Sequence, residues 1–462
     1  MLHSLSIGTD VRLRAVLVGV GLPELSDAQV ESSLDELARL CRTLGLDPVA
    51  RITQRRRSTG SATVLGAGKL RDLARLTGGA GSVPSRVPAA RQRNGRDGEL
   101  DADALPSEPL TLEDDGGDAK RAEVVVFDHD LTPTQLRNLE GATGAQVLDR
   151  STVILHIFQR RARSREARTQ VEIASLKYLA PRLRATAGTR ERQQGGIGIR
   201  GGAGESALEL DRRRVRDRIA ELERELVNLE REAIGRRERR GALTVALVGY
   251  TNAGKSTLMR ALTGADVLVD DRLFATLDTT VRVLHPETVP RVLISDTVGF
   301  VDRLPHDLVA SFRSTLAETS AADLLLHVVD VADSLHPERL AVTRRVLLEL
   351  GAGDQPELLV LNKADLLDTQ QREVLAAQHP EAIAVSALDL GDTARLRERI
   401  VAWLERAMID ASLFVPYRTP RILHIIRESA RVLSETHEND GTRLEVRAPA
   451  AVIDQLRAAG AD

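Results

Sequence analysis

The chain has 462 residues, is 42% hydrophobic and 28% charged, and carries a formal net charge of −3. That length suits roughly three domains of ordinary size, and the composition is that of a folded chain able to bury several cores. A single cysteine, Cys41, excludes an internal disulfide framework, and an aromatic content of 2% argues against a protein that holds single strands of nucleic acid on many stacking platforms.

No run approaches the ~18 apolar residues of a membrane span. Ala15–Pro23 is apolar and follows Arg12 and Arg14. Asp10 precedes it, Pro23 and Glu24 close it, and no small-x-small cleavage site follows, so it does not read as a signal peptide. Val11–Val20 has a strand pattern instead. Asp27–Leu44 has apolar residues at helical spacing, with Asp27 placed to cap. Pro48–Thr53 reads as a second strand and Gly66–Leu76 as a short helix. Gly78–Ala119 is rich in Gly, Pro, Arg and Asp with almost no apolar periodicity, and reads as a disordered insertion within an N-terminal domain of residues 1–150. A strand at Val124–Asp128, a helix from near Pro133 and a strand at Ala145–Asp149 follow. This alternation implies an α/β fold with a mostly parallel sheet.

Residues 151–241 have a different texture. Ser151–Arg240 holds 22 Lys and Arg against 13 Asp and Glu, a net of +9, so the remaining chain carries −12. Two helical stretches flank the glycine-rich Gly195–Glu205. In the second, Leu208, Val215, Leu222 and Leu229 recur every seven residues, with Ile219 and Leu226 between them, which makes the seam of an antiparallel hairpin. The first arm offers Val171, Leu176, Leu179 and Leu183 as the facing stripe, with a kink expected at Pro181. Arg160, Arg161, Arg163, Arg165 and Arg168 have few acidic neighbours in sequence. A cluster of this kind suits binding to an RNA backbone by counterion release, whereas the alternating Glu and Arg of Glu221–Arg240 read as a solvated face.

From 242 to 410 strands and helices alternate again, with strands at Leu243–Gly249, Arg291–Asp296, Leu324–Asp330, Leu358–Asn362 and Ala382–Ser386. The tail, 411–462, reads as a small α+β domain: a helix near Pro420–Leu433, a strand Arg443–Arg447, and a helix Pro449–Ala458 with Pro449 in its first turn.

Between the first of these strands and a helix lies Gly249-Tyr250-Thr251-Asn252-Ala253-Gly254-Lys255-Ser256, followed by Thr257. It matches G-x-x-x-x-G-K-[ST]. The glycines let successive N–H groups face phosphates, Lys255 reaches the outer phosphate oxygens, Ser256 offers a hydroxyl to Mg²⁺, and the helix N-terminus adds positive charge. Asp296-Thr297-Val298-Gly299 ends a later strand; Asp296 can hold Mg²⁺ through a water and the Gly299 N–H can bind a γ-phosphate. Asn362-Lys363-Ala364-Asp365 ends another. A buried carboxylate at Asp365 accepts two hydrogen bonds from guanine N1–H and the 2-amino group, and an adenine would leave it unpaired. Ser386-Ala387-Leu388 ends the next and can meet guanine O6 through backbone N–H. All lie at strand C-termini, where open α/β sheets bind ligands. Phe274-Ala275-Thr276-Leu277-Asp278 falls between the phosphate-loop helix and the next strand. Thr276, Thr279 and Thr280 all compete as the threonine that completes the Mg²⁺ shell once the triphosphate is bound.

These residues, with Gln54-Arg-Arg-Arg57, Gly66-Ala-Gly-Lys-Leu70, Phe127-Asp-His-Asp-Leu131, Gln135-x-Arg-Asn-Leu139, Val147-Leu-Asp-Arg150, Ile157–Arg165, Gln170-Val-Glu172 and Asp211-Arg-Arg213, resemble the HflX family of translational GTPases over nearly the whole chain outside the insertion. The resemblance places the magnesium threonine at Thr276 and gives Lys255, Thr276 and Gly299 catalytic roles. It implies a cytoplasmic monomer, with no DNA partner and no membrane insertion, that binds GTP and Mg²⁺ and associates with the large ribosomal subunit in ribosome splitting, rescue or maturation. The N-terminal half would be the ribosome-facing part. The hairpin tip departs from the family's Arg-Gly-Pro-Gly-Glu, reading Arg200-Gly-Gly-Ala-Gly-Glu205. Ras-like GTPases carry a water-orienting glutamine after the last glycine of D-x-x-G; here Phe300 stands there, so unassisted hydrolysis should be slow. Two rival functions are an ATP-using RNA-remodelling enzyme and a GTP-dependent scaffold for a protein partner. For the first, Gly66-x-Gly-Lys-Leu70 is too short for a phosphate loop.

Overall fold

Ala15, Val16, Leu17 and Val18 are all fully buried, although they are neighbours along one strand. Only a sheet covered on both faces buries consecutive residues in this way. The computed structural model describes residues 12–83, 121–193, 207–238, 242–264, 273–274, 280–302 and 317–461. It divides into two compact units: Met1–Arg160 with Glu172–Ala220, and Arg161–Val171 with Glu221–Asp462.

In the first unit, strands β1 (Leu13–Gly21), β2 (Leu46–Arg55), β3 (Val124–Phe127) and β4 (Gln146–Asp149) form a parallel sheet in the order β2-β1-β3-β4. Helices α1 (Asp27–Leu44), α2 (Ala67–Thr77) and α3 (Pro133–Thr143) alternate with them, and α4 (Arg150–Arg161) follows β4 directly. The cap of α1 is Ser26, not Asp27. Its side chain accepts from the Gln29 N–H while the Gln29 side chain reaches back to the Ser26 N–H, a capping box. Asp27 is the first helical residue, and Arg55 pairs with it. The reading of Gly78–Ala119 as disordered fails at its start. Gly78 caps α2 in a left-handed conformation, Gly81 N–H donates to Ala142 O at 2.9 Å, and a Cβ on Gly79 would lie 2.3 Å from the Thr143 backbone. Val83 packs on the core as well. The rest of that segment, from 84, lies outside the described residues.

A charged cluster is buried behind the strand ends. Arg150 is 1% exposed; it donates to Asp128 Oδ1 at 2.8 Å and pairs with Glu36, while Ser33 Oγ donates to Asp128 Oδ2 at 2.6 Å. Burial pushes the nearby Cys41 thiol up to about 12, against the pull of the Arg150 charge. Asp149 accepts from Leu131 N–H, from Thr152 N–H and, at 2.5 Å, from Tyr178 Oη on α5 (Arg165–Gln193). That helix is continuous through Pro181. The second arm of the hairpin is α6 (Ala207–Glu238). Arg218 donates to Glu172 at 2.9 Å and Arg165 to Glu225 at 2.6 Å. One index rises by seven as the other falls by seven, so the arms run antiparallel, as the heptads predict. Val171 and Leu222 are buried and Val215, Ile219, Leu226 and Leu229 half-buried. Leu179, Leu183 and Leu208 lie outside the described side chains, and the tip 194–206 outside the described residues.

The second unit holds a six-stranded sheet in the order β10-β9-β8-β5-β7-β6. Its strands are β5 (Leu243–Gly249), β6 (Thr280–Val283), β7 (Val292–Asp296), β8 (Leu324–Asp330), β9 (Glu357–Asn362) and β10 (Ile383–Val385). All pairings are parallel except β6 with β7. Helices α7 (Lys255–Thr263), α8 (Ala317–Ser320), α9 (His336–Glu349), α10 (Thr369–Gln378) and α11 (Leu390–Arg406) alternate with them. The edge strand β6 was not legible in the sequence: three of its four residues are half-buried, Arg282 is exposed, and they lack a continuous apolar run. The core is Val245, Leu247, Leu258, Ile294, Leu326, Val360, Leu396 and their neighbours.

The C-terminal sheet is antiparallel, β11-β13-β12, with β11 (Met408–Pro416), β12 (Arg431–His437) and β13 (Gly441–Pro449). Helices α12 (Pro420–Ser429) and α13 (Ala450–Ala458) contribute Ile422, Ile426, Ile453 and Leu456 to its core. Two expectations change here. The first helix stops at Ser429, and Arg431–Leu433 belongs to β12, because that edge strand completes the sheet with β13. Pro449 is the cap of the last helix and not part of its first turn; it still holds the last ladder position opposite Met408. The whole is α/β, with a doubly wound, mostly parallel nucleotide-type sheet and a small α+β C-terminal part. No helix among the described residues is long and apolar enough to cross a membrane.

Candidate functional site

The C-terminal ends of β5, β7, β8, β9 and β10 converge, because β5 lies in the middle of the sheet and the connections leave it on both sides. Between β5 and α7 the chain turns sharply. Gly249 has φ 150°, Asn252 φ 63° and Gly254 φ 92°. Gly249 and Gly254 admit no side chain. A Cβ would lie 2.2 Å from Val328 O at the first and 2.2 Å from Asn362 Nδ2 at the second.

Lys255 heads α7 and is buried. Its Nζ donates to Gly249 O at 3.1 Å and Tyr250 O at 2.9 Å. Burial brings its ammonium down to about 8, opposed by the Asp296 charge. Beside it Ser256 Oγ donates to Asp296 Oδ2 at 2.6 Å. Thr257 follows, half-buried on the same turn. Asp296 is fully buried at the end of β7; Thr297 Oγ1 donates to Leu247 O at 2.6 Å, which ties the turn to β5. Val298 is buried. Gly299 lies against the loop: a Cβ there would be 2.8 Å from Thr251 Cγ2 and 3.0 Å from Lys255 Nζ. Phe300 is 2% exposed and packs inward.

On the other side, Asn362 joins three loops. Its Nδ2 donates to Ala253 O at 2.8 Å and its Oδ1 accepts from Ala387 N at 3.1 Å. Lys363, held at φ 63°, donates to Asp330 Oδ2 at 2.7 Å. Ala364 is buried and opens a short 3₁₀ turn whose second residue is Asp365. Asp365 is exposed, not buried. Ser386 N donates to Asp392 Oδ2 at 2.8 Å, and Leu388 N to Ser386 Oγ at 3.3 Å, with the Leu388 side chain 77% exposed.

The structure thus brings the phosphate loop, Asp296–Gly299, Asn362–Asp365 and Ser386–Leu388 to one edge. Phe274 is described, buried and at φ 56°. Ala275, Thr276, Leu277 and Asp278, with Thr279, lie outside the described residues. Sequence reasoning missed Asp392, which orients the Ser386 turn; its signal was its place in the first turn of the following helix, with Asp389 as the cap. It also missed Arg339, whose guanidinium stacks 4.8 Å from the Tyr250 ring centroid. Nothing in the local sequence points to that contact.

The arginine cluster is more engaged than its sequence neighbourhood suggests. Arg160 Nη1 donates to Leu44 O at 2.5 Å, at the negative end of α1, and Glu225 pairs with Arg165. Arg163 and Arg168 remain exposed.

Three family descriptions match the chain: GTP-binding GTPase N-terminal over residues 31–82 and 114–159, GTP-binding GTPase Middle Region over 161–240, and 50S ribosome-binding GTPase over 244–363. Among curated relatives, the GTPase HflX of Gluconacetobacter diazotrophicus is 54% identical, covering 96% of this chain and 97% of its own. That of Caldanaerobacter subterraneus is 37% identical over 96% of this chain and 93% of its own. That of Escherichia coli is 41% identical over 73% of this chain and 80% of its own.

Proposed function

The chain belongs to the HflX family of GTPases and hydrolyses GTP at a P-loop, and from that premise we propose that it binds the large ribosomal subunit as a GTP-controlled switch in ribosome splitting, rescue or maturation. The observation that carries this reading is the match of 244–363 to a family described as ribosome-binding, together with the net positive charge of 151–240. Binding would use the exposed Arg163 and Arg168 on RNA phosphates, as shape and backbone contacts, since few aromatic residues interleave them.

In the nucleotide site, backbone N–H groups of 250–257 would cradle the phosphates, Lys255 would leave its two loop carbonyls for phosphate oxygens, and Gly299 N–H would meet the γ-phosphate. Asp365 would accept from guanine, with Asn362 holding the three loops in register. Ser256 and Asp296 already put a hydroxyl and a carboxylate side by side, a hard oxygen set that suits Mg²⁺, with Thr276 as the further ligand. The ion would neutralise phosphate charge. Phe300 offers no hydrogen bond to an attacking water, so turnover by the free protein should be slow and the bound subunit should raise it by orders of magnitude, up to the ~10⁵-fold known for GTPase activators.

Co-sedimentation with ribosomal subunits in a GTP analogue and in GDP, paired with single-turnover hydrolysis with and without large subunits, tests the proposal. Binding to large subunits only in the analogue is expected. Equal pelleting in both nucleotides, or fast hydrolysis by the free protein, would sink it.

A further inference from the structure

Two polar side-chain atoms near the phosphate loop, Thr251 Oγ1 and His327 Nε2, are buried and make no hydrogen bond among the described residues. Thr251 is 5% exposed, on the turn between β5 and α7, and His327 is fully buried in the middle of β8. Both line one small cavity of about 10 Å³, walled also by Tyr250, His336, Arg339 and Thr343. That is room for a single water. The far end of His327 fixes what Nε2 can do. Its Nδ1 lies 3.2 Å from Glu357 Oε1, to which Arg344 also donates at 2.9 Å. Burial would raise the Glu357 carboxyl, but these two hydrogen bonds bring it down to about 2. An ionised carboxylate only accepts, so Nδ1 has to carry the shared proton, and a neutral ring then presents Nε2 as an acceptor. A water in the cavity can donate to Nε2 and accept from Thr251 Oγ1. Thr343 Oγ1 gives its own proton to Arg339 O at 3.0 Å and keeps a lone pair for the water's other hydrogen. Three partners suit a buried water.

We propose that His327 is a positioning residue: through one buried water it holds the Thr251 hydroxyl, and so fixes the rotamer of a phosphate-loop side chain. The proposal rests on the reading of 249–256 as the phosphate loop. The rotamer matters because of what the other branch of Thr251 touches. A Cβ on Gly299 would meet Thr251 Cγ2 at 2.8 Å. Turning a threonine about its Cα–Cβ bond puts its hydroxyl where its methyl stood, so a partner for the hydroxyl selects which group faces Gly299. The relay runs from Arg344 on α9 through Glu357 and His327 to the water and Thr251. It ties the far side of the sheet to the nucleotide edge without a direct contact between the two orphaned atoms. Removing either end leaves the other unpaired, which is costly inside a protein.

A high-resolution crystal structure of the full chain should show one water within hydrogen-bond distance of both Thr251 Oγ1 and His327 Nε2. A dry cavity, or the two atoms bonded to each other, would overturn the bridge. A double-mutant cycle on GDP affinity then tests what the bridge does. Thr251→Val keeps the shape and removes the hydroxyl, and His327→Phe keeps a ring without nitrogens. Each should weaken GDP binding about two- to tenfold, the worth of one hydrogen bond. The double variant should bind no worse than the weaker single one, because both lose the same water. Effects that multiply would mean that the two residues act separately. His327→Gln, whose amide can donate to Glu357 and accept from the water, should stay within about twofold of the parent. A fall as deep as that of His327→Phe would reduce the ring to a support of the fold and overturn the proposal. Lys255→Ala keeps the two claims apart. If it binds GDP as the parent does, the phosphate-loop reading falls and the bridge with it. If it alone weakens binding, with Thr251→Val and His327→Phe unchanged, only the bridge falls.

Discussion

Each unit contains a parallel sheet, and the two C-terminal edges are put to different uses. At the edge of the first, side chains close the loops onto one another. Gln54 accepts from Gly66 N–H, Gln135 donates to Thr59 O and Ser61 O, Asn138 donates to Ala62 O, and Asp149 takes donors from three elements. At the edge of the second, side chains also tie the loops together, Asn362 to Ala253 O and Ala387 N and Thr297 to Leu247 O, but the groups gathered there are chemical: a buried ammonium on two loop carbonyls, a hydroxyl beside a carboxylate, and the exposed Asp365. The same topological position can be a brace or a site. Which one results depends on whether its polar groups bind only one another across the loops or include a group, such as Asp365, that stands open to a ligand.

The largest expected effect tests the open edge. Asp365→Asn inverts the donor and acceptor pattern facing the base. GTP affinity should fall by about 10³–10⁴ and xanthosine nucleotides should gain correspondingly. Unchanged GTP binding, measured by titration, would remove Asp365 from the site and weaken the contrast between the edges.

Next in size is the buried brace of the first unit. Arg150→Met leaves Glu36 and Asp128 buried without their cation, and should cost about 3–5 kcal/mol of that unit's stability. Denaturant unfolding followed by hydrogen exchange in β3 and α4 would report it. Nucleotide affinity of the folded protein should not change; if it does, the two edges are not independent. A smaller loss, about 1–3 kcal/mol, is expected for Gln135→Ala, which frees two loop carbonyls and removes one arm of the α3 capping box. Faster amide exchange in residues 57–66, with GTP binding intact, is the accompanying sign.

The smallest effect concerns the second sheet away from its site. Burial alone would raise the Glu357 carboxyl, but hydrogen bonds from His327 and Arg344 prevail and bring it from 4.5 down to about 2. A carboxyl depressed on folding adds stability that is fully present above the ordinary value and lost as pH falls through the depressed one. Glu357→Gln should therefore flatten the stability curve between pH 4.5 and 2, read from denaturation midpoints. An unchanged slope would mean that the ion pairs with His327 and Arg344 add nothing.

Much of this protein was legible from residue order. Strand β5 and strand β8 have the bounds their apolar runs announce, because fully buried parallel strands need unbroken hydrophobic stretches. Helix α1 followed from its 3.6-residue spacing. The nucleotide loops were readable for another reason: their chemistry needs particular residue types at short fixed spacing, and short spacing survives in a linear text. The antiparallel arms were readable because a heptad seam is a local repeat. Tertiary structure alone decided the rest. Arg150 with Glu36 and Asp128, Asn362 with Ala253 and Ala387, and Tyr250 with Asp302 and Arg339 join residues far apart in the chain. Strand β6 and strand β12 lie at sheet edges, where one flank has no partner and side chains need not be apolar, so no pattern marks them. Periodicity records which face of an element is buried. It carries no record of which distant groups meet there, and the charges, orphaned donors and stacked rings that set the behaviour of this site arise only from those meetings.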